Sequence, residues 1–263
     1  MEGLEGWCYA IQNFKGGRVI KTYSTSQIAK EVHVHPNTVR LYEEWGFISP
    51  VQRLENGYRC YTDLHVWQMK VARAAFRSEI IQGHLRAKAR AIVEATGQEE
   101  YPMAYKLAED YLACLQVEHA RALEAAQLVH QWVHGTATSS VDECRYTRKQ
   151  AAAKLEVSVD VVRNWERNGL IEVPRMENGY RMYSGVEIDR MKIIRTLRSA
   201  HFSMAAILRL FLALDQGGQT DILSVLNTPR ADEDIVTLTD RLIVSLEEAM
   251  KNAREVLDLL AMK

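Results

Sequence analysis

Two short stretches of the sequence are nearly the same: "RLENGYRCY" runs from Arg53 to Tyr61, and "RMENGYRMY" runs from Arg175 to Tyr183. Each contains an Asn-Gly pair between two runs of strand-forming residues, a pattern that predicts a hairpin with a two-residue turn. Arginines and tyrosines flank the turn in both copies. The chain is therefore expected to hold two equivalent basic hairpins, separated by roughly half its length.

The similarity continues into the residues before each hairpin. The stretch "YSTSQIAKEVHVHPNTVRLYEEWGFI" at 23–48 aligns with "YTRKQAAAKLEVSVDVVRNWERNGLI" at 146–171. Ser24 and Thr147 each precede a glutamine by three residues, and this spacing predicts a capping box at the start of a helix. Each copy therefore opens with a short capped helix.

A second short helix follows in each copy. Pro36 is a favourable first residue for it in one copy, and Ser158 is a capping residue in the other. Gly46 and Gly169 are expected to end these helices. Two short helices joined by about four residues form a helix-turn-helix, and the hairpin that follows would be its wing.

These residues resemble the MerR family of bacterial transcription regulators. The family pattern is a helix-turn-helix whose second helix carries an arginine followed by aromatic and acidic residues, then a glycine-hydrophobic-isoleucine step, then Arg-x-x-x-Gly-Tyr-Arg-x-Tyr. It occurs twice here, over about residues 23–78 and 146–199. The resemblance implies a DNA-binding regulator whose second helices enter the major groove of a duplex.

The predicted DNA contacts lie on the two helices and the wing of each copy. Asn37 favours adenine and Asp160 can accept a hydrogen bond from cytosine, so the two copies are expected to read different half-sites. For the tyrosines, packing of the ring against the helices is the alternative to phosphate contact. The full predicted set is Thr25, Asn37, Thr38, Arg40, Tyr42, Arg53, Tyr58, Arg59 and Tyr61, with Lys149, Asp160, Arg163, Trp165, Arg175, Tyr180, Arg181 and Tyr183.

Two positions depart from strict repetition. Tyr42, which matches a phosphate-contacting tyrosine of the family, is replaced by Trp165 in the second copy. His35 stands where the second copy has the capping residue Ser158. We therefore expect unequal DNA affinity in the two halves.

The charges are unevenly distributed along a chain whose formal net charge is −1. Residues 146–200 hold 11 basic and 7 acidic side chains, whereas residues 98–134 hold 6 acidic and 2 basic ones. Basic winged segments combined with acidic helices are typical of a protein that binds a nucleic-acid duplex.

Several functional classes find no support in the sequence. Four cysteines lie far apart in the sequence, at Cys8, Cys60, Cys114 and Cys144, and this spacing favours reduced thiols. Neither a zinc site nor another cofactor is expected. His130 and His134 lack a nearby third ligand, so no metal is expected. There is no phosphate loop, nucleophile elbow or metalloprotease helix, so an enzyme is not expected. The lack of a membrane-length apolar run or signal core predicts a soluble cytoplasmic protein.

Apolar and small residues recur in alternating steps of four and three in two later segments, a pattern that predicts coiled-coil seams. MerR-like proteins are generally dimers whose long helices pair antiparallel. We therefore expect helices 102–134 and 232–262 to pair within one chain as a pseudo-dimer, with a homodimer carrying four DNA-binding units as the alternative. The seam positions are Ala108, Leu112, Leu115, His119, Ala122, Ala126, Val129 and Val133, then Ile235, Thr239, Leu242, Leu246, Ala249, Ala253, Val256 and Leu260.

The predicted fold is mostly α, with two winged helix-turn-helix domains that are each followed by helices and a long coiled-coil helix. The first domain is expected at 23–97 and its long helix at 98–134, and the second domain at 146–228 and its long helix at 229–263. Residues 135–145 would be a linker. The extension at 1–22, with a hairpin around Lys15-Gly16-Gly17, has no assigned role.

The resemblance implies regulation by distortion of a pseudo-palindromic promoter, so that RNA polymerase reads both promoter elements. A small-molecule effector would fit this class. One alternative is a MerR-like protein that sequesters a drug or toxin with little DNA activity, and another is a structural chromosome-binding protein. The residues predicted to line a ligand pocket, for which core packing is the alternative, are Trp67, Phe76, Tyr101, Tyr105, Tyr111 and Trp132.

Overall fold

The computed structural model describes residues 21–78, 83–134, 145–173, 181–216, 221–229 and 241–263. The chain divides into two compact units. The first comprises Met1–Cys114 and Ala249–Lys263, and the second comprises Leu115–Glu248. The described residues are mostly α-helical, which confirms the predicted fold class at that level.

The helices follow the same order in the two repeated segments, with two short helices before the wing and a longer helix after it. The elements of the first half are β1 (Thr22–Tyr23), α1 (Thr25–Glu31), α2 (Pro36–Glu44), β2 (Gln52–Arg53), β3 (Arg59–Thr62), α3 (Asp63–Phe76), α4 (Gly83–Gly97) and α5 (Tyr101–His134). Those of the second half are α6 (Arg148–Lys154), α7 (Val159–Arg167), α8 (Gly185–Ser199), α9 (Met204–Asp215), α10 (Ile222–Asn227) and α11 (Leu242–Ala261).

Both predicted capping boxes are present. The Gln27 backbone N–H donates to the Ser24 hydroxyl at 3.3 Å, and the Ser24 N–H donates to the Gln27 side chain at 2.8 Å. Thr147 and Gln150 make the same pair of contacts at the start of α6. Because each box satisfies N–H groups that the helix itself leaves unbonded, it defines where the helix begins.

The second helix of each unit starts and ends as the sequence predicted. His35 caps α2, since its Nδ1 accepts from the Asn37 N–H at 3.2 Å, and Ser158 caps α7. Gly46 and Gly169 follow these helices with φ of 72°, a left-handed conformation that favours glycine. The histidine that replaces the capping serine therefore performs the same task.

The first wing differs from the prediction at its turn. The strands pair in the order β1-β3-β2, and Arg53 lies opposite Arg59. The Leu54 N–H donates to the Tyr58 carbonyl and the Gly57 N–H donates to the Leu54 carbonyl, both at 2.8 Å. The loop therefore has three residues with Gly57 in the left-handed region, and the predicted two-residue turn is wrong.

The second wing is described only in part. Tyr146 and Tyr183 exchange two backbone hydrogen bonds of 2.8 Å, and this bridge stands where β1 meets β3 in the first unit. Residues 174–180, with the second Asn-Gly pair, lie outside the described residues. The same holds for the predicted hairpin around Lys15-Gly16-Gly17.

Each winged segment has its own apolar core. In the first unit Ile28, Val39, Ile48 and Met69 are buried together with the ring of Tyr61. The buried side chains of the second are Leu155, Val162, Leu170, Met191 and Ile194, with the ring of Tyr183. The two helices and the wing strand of each copy are thereby held in one small domain.

The long helices bury most of their predicted seam residues within the described ranges, whereas Leu112, His119 and Val133 of α5 are only partly buried. The buried ones include Ala108, Leu115 and Ala122 along α5, and Ala253 and Val256 along α11. The small side chains among them allow close approach of the packed elements. Ile235 and Thr239 lie outside the described residues, and α11 begins at Leu242.

Candidate nucleic-acid interface

Helix α2 exposes the polar side chains predicted to meet DNA in the first unit. Asn37 and Arg40 are exposed, and Thr38 is half-buried near the N-terminus of the helix. Asn37 and Arg40 line an open cleft of about 1000 Å³ that also includes Trp45 and Gln98. The donors on this face are therefore accessible to a partner.

Helix α7 exposes the corresponding face in the second unit, with a different charge arrangement. Arg163 donates to Asp160 at 2.8 Å, and both side chains are largely exposed. An exposed ion pair of this kind contributes little to stability and can be exchanged for a phosphate or a base edge. In the first unit the position of Asp160 is taken by the neutral Asn37.

The aromatic residues that follow these arginines pack against neighbouring side chains to different degrees. Tyr42 is half-buried against Phe47 and Phe76, and burial raises the pKa of its phenol. Trp165 is only 3% exposed. An indole buried to this degree has no edge open to a phosphate, so we reassign Trp165 from a DNA contact to the core of the second domain.

The last tyrosine of each wing is likewise internal. Tyr61 and Tyr183 are fully buried, which corresponds to the packing alternative and not to direct phosphate contact. Burial raises the pKa of Tyr61. Thr25, another predicted DNA contact, is half-buried at the start of α1.

Two of the predicted contacts on the first wing are exposed. Tyr58 is 72% exposed beside the loop, and Arg53 is exposed with its guanidinium 3.5 Å from the Gly57 carbonyl. Arg59 instead points back to α2, where its Nε donates to the Glu43 carboxylate at 2.5 Å. The predicted basic wing therefore divides into an outward arginine and an inward one.

The second wing attaches to its helices through a larger cluster around Glu166. Arg148 donates to the Glu166 carboxylate at 2.9 and 3.3 Å, and Arg181 donates to it at 3.0 Å. The Tyr183 hydroxyl also donates to Glu166. We call Arg148, Glu166, Arg181 and Tyr183 the Glu166 cluster. Lys149, the neighbouring predicted contact, is exposed, while Arg175 and Tyr180 lie outside the described residues.

The Glu166 cluster changes the acidity of its members. Burial alone would raise the pKa of Glu166, but hydrogen bonds from Tyr183 and Arg148, with the charges of Arg148 and Arg181, outweigh burial and lower it. Burial and the hydrogen bond to Glu166 raise the pKa of Tyr183 to about 12. Glu166 is therefore held as a carboxylate and Tyr183 as a neutral donor.

The predicted set omitted the residues that organise this contact. Glu43 and Glu166 occupy the same position in the two copies, and that agreement was the available signal. Arg148 had no such signal, because the first copy has Thr25 there. The acidic partner of a wing arginine lies 15 or 16 residues away, so only the folded chain identifies it.

The residues predicted to line a ligand pocket do not form one group. Trp67 and Tyr101 meet edge to face with ring centres 5.5 Å apart, and the Lys263 ammonium lies 5.4 and 5.7 Å from the two ring centres. Tyr111 is buried in the core, Tyr105 is exposed, and Trp132 belongs to the second unit. Phe76 packs with Phe47. Core packing accounts for Phe76 and Tyr111.

Two further findings concern metal sites and membrane-spanning helices. Within the described ranges, no group of three or more histidine, cysteine, aspartate or glutamate side chains is arranged to hold a metal ion. Among the helices described, none is both long and apolar enough to cross a membrane.

Comparison with known proteins identifies relatives of both winged segments. Residues 24–61 match the model of the MerR family regulatory protein, and residues 146–214 match that of the MerR HTH family regulatory protein. The chain is 29% identical over 115 residues to the mercuric resistance operon regulatory protein of Bacillus cereus, which covers 41% of this chain and 86% of that relative.

Shorter matches involve the HTH-type transcriptional regulator CueR. Identity is 40% over 50 residues with the Salmonella typhi protein, covering 19% of this chain and 36% of the relative. It is 54% over 41 residues with the Vibrio cholerae serotype O1 protein, covering 16% and 30%. The chain thus spans about a third of the length of these CueR relatives. No solved structure matches the chain.

Proposed function

Because two separate segments of this chain belong to the MerR family of regulatory proteins, we propose that it is a transcription regulator that binds double-stranded DNA through both winged units. The observation that carries the proposal is the repeated exposure of an arginine at the centre of the second helix, Arg40 on α2 and Arg163 on α7. A short exposed helix of this kind fits the major groove, and the wing reaches the neighbouring backbone.

The proposed assembly is a single-chain pseudo-dimer in which α5 and α11 pair antiparallel. Within the first unit the end of the chain contacts the start of α5, since Lys263 lies over Tyr101. Within the second unit Glu247, in the N-terminal part of α11, accepts from His119 on α5 at 3.3 Å. Contacts that run in opposite order along the two helices support antiparallel pairing.

Further contacts in the first unit support the same assembly. The Trp67 indole N–H donates to the Leu259 carbonyl at 3.0 Å, and Arg77 binds Glu255 with two hydrogen bonds of 2.6 and 3.0 Å. The C-terminal helix α11 is thereby attached to α3, the helix that follows the first wing in the sequence, and to the residue that ends it. A covalent link between the two DNA-binding units raises the effective concentration of the second once the first has bound.

The proposed target is a pseudo-palindromic promoter with two unlike half-sites. Asn37 and Asp160, at matching positions near the helix N-termini, offer different hydrogen-bonding groups to base edges. Binding of both units to one promoter would make distortion of the intervening DNA the regulatory step, with RNA polymerase reading the distorted promoter. A small-molecule effector would shift this equilibrium between DNA conformations.

The test is selection of bound duplexes from a random pool with the full chain at near-physiological salt. We expect enrichment of two unlike half-sites, lost in the double variant Arg40→Ala/Arg163→Ala and retained in Arg254→Ala, which removes an exposed arginine of α11. Because salt changes DNA affinity steeply, all proteins must be compared at one salt concentration. Enrichment that survives the double variant would contradict the proposed recognition helices.

Solution mass separates the pseudo-dimer from the homodimer. Light scattering at micromolar concentration should return the mass of one chain, both free and on a duplex that contains both half-sites. A stable mass of two chains would replace the pseudo-dimer by a homodimer with four DNA-binding units.

A second candidate function, sequestration of a drug or toxin, rests on the Trp67–Tyr101 pair, where an ammonium group already lies near two aromatic rings. Aromatic faces of this kind attract organic cations. A folded protein that enriches no DNA sequence would favour this candidate over regulation.

A further inference from the structure

The two wings are attached to their helices by different numbers of charged contacts. In the first unit the inward wing arginine, Arg59, forms an ion pair with Glu43, whose side chain is 17% exposed. In the second unit Glu166 receives two arginines and a tyrosine hydroxyl, and its side chain is 7% exposed. The additional cation is Arg148, the first residue of α6.

Arg148 connects three elements at once. Its guanidinium reaches both carboxylate oxygens of Glu166 on α7, and its Nε lies 3.3 Å from the hydroxyl of Tyr183 on the wing strand. Charge-assisted and two-point contacts of this type are stronger and more directional than a single neutral hydrogen bond. The first unit has Thr25 at this position, and a threonine side chain is too short to bridge a carboxylate and the wing.

We propose that Arg148 is a positioning residue that fixes the described wing strand of the second unit, residues 181–184, relative to its recognition helix, whereas the first unit joins wing and helix through the Arg59–Glu43 pair. The inference rests on the proposed DNA-binding function and adds a difference between the two units in how firmly the wing strand is held. A preset wing loses little conformational freedom on binding, so the second unit contacts DNA with a fixed geometry between helix and wing.

The same contacts alter the charge that each unit offers to phosphates. Arg148 and Arg181 are directed to Glu166, and Arg163 is directed to Asp160. In the first unit Arg40 lines an open cleft and Arg53 is exposed on the wing. In the second unit Lys149 and Arg163 are likewise exposed, so both units offer cations to phosphates, and Arg148 acts through Glu166 and the wing strand and not as a phosphate contact.

The experiment exchanges the distinguishing residue between the copies. Arg148→Thr and Thr25→Arg are made in the full chain, and amide hydrogen exchange is followed by mass spectrometry in free protein. We expect exchange at 181–184 to accelerate about tenfold in Arg148→Thr, the effect of losing about 1.4 kcal/mol of charged hydrogen bonding. In Thr25→Arg, exchange at 59–62 should slow, because the new guanidinium reaches Glu43.

A conservative variant separates positioning from simple charge. Arg148→Lys keeps the cation but has no planar fork to reach both oxygens of Glu166 together with Tyr183, so its wing exchange should lie between wild type and Arg148→Thr. Full rescue by lysine would overturn the positioning role in favour of charge alone. Equal acceleration throughout α8 would overturn it too, since Arg148 would then be a general stabiliser of the domain.

DNA binding supplies the functional measurement, with duplexes that carry each selected half-site. Arg148→Thr should weaken binding to the second half-site about tenfold and leave the first unchanged, with little effect on the salt slope of the second. Unchanged affinity alongside a loosened wing would refute the role in recognition. If wild type binds no DNA, the proposed function fails, while the exchange measurements still decide whether Arg148 holds the wing.

Discussion

The two repeated segments, residues 22–76 and 146–199, solve one packing problem with different chemistry. In both, the helix after the wing strand holds the loop that follows the second helix. Gln68 of α3 does this from a fully buried position, accepting from the Ser49 N–H at 2.9 Å and donating to the Thr96 carbonyl at 2.9 Å. At the matching position of α8, Arg190 donates to the Leu170 carbonyl at 3.2 Å.

The side chains of Gln68 and Arg190 also differ in how far they are exposed to solvent. Arg190 also binds Asp215 at the end of α9 and lies 4.0 Å from the ring centre of Phe211, with 30% of its side chain exposed. A buried amide is costly to lose because its partners are left without water, whereas an exposed guanidinium can be replaced by water. At this position the first domain therefore depends on a buried amide, and the second on an ion pair near its surface.

The largest expected effect tests how tightly the first domain is packed. A Cβ added at Gly97, at the end of α4, would lie 2.2 Å from the carbonyl oxygen of Gly46. Because that oxygen belongs to the backbone, it cannot turn aside as the end of a flexible side chain could. Gly97→Ala should therefore destabilise the first domain by about 3 kcal/mol, measured as faster amide exchange in α3 and α4. Gly46→Ala is the control, with open space but φ of 72°, and should cost about 1 kcal/mol. Equal losses would contradict the close approach.

The next effect compares the two polar side chains directly. Gln68→Ala should cost about 2 kcal/mol, since the Ser49 N–H and the Thr96 carbonyl lose a buried partner. Arg190→Ala should cost about 1 kcal/mol or less in its own domain. Because the two units need not unfold together, each loss is read from exchange in α3 or α8. A greater loss for Arg190→Ala would reverse the comparison.

The smallest expected effect is a loss of stability of the second domain at acidic pH. The pKa of Glu166 is lower in the folded state than its ordinary value of 4.5, so the resulting stability is present above pH 4.5 and is lost as the pH falls through the folded value. Thermal melting of wild type and Glu166→Gln should therefore differ most near neutral pH and converge below pH 4.5. A gap that stays constant down to pH 3 would show that the Glu166 carboxylate makes no titratable contribution.

Local signals in the sequence determined where the short helices of both repeated segments begin and end. Ser24, Thr147 and Ser158 mark helix starts and Gly46 and Gly169 mark helix ends, because capping and left-handed backbone depend on neighbouring residues. The left-handed residues between the helices, His33 and Glu156, escaped prediction since neither is a glycine. The loop of the first wing was assigned one residue too short, because an Asn-Gly pair suits more than one turn type.

Tertiary structure alone decided which predicted side chains face outward. Trp165 and Tyr61 carry polar groups suited to phosphates, yet packing of the wing against two helices buries both. Several contacts join residues up to about fifty positions apart in the sequence, among them those of Arg148, those of Gln68 and the approach of Gly97 to Gly46. No local pattern encodes such pairs, since they exist only when the whole domain has closed around them.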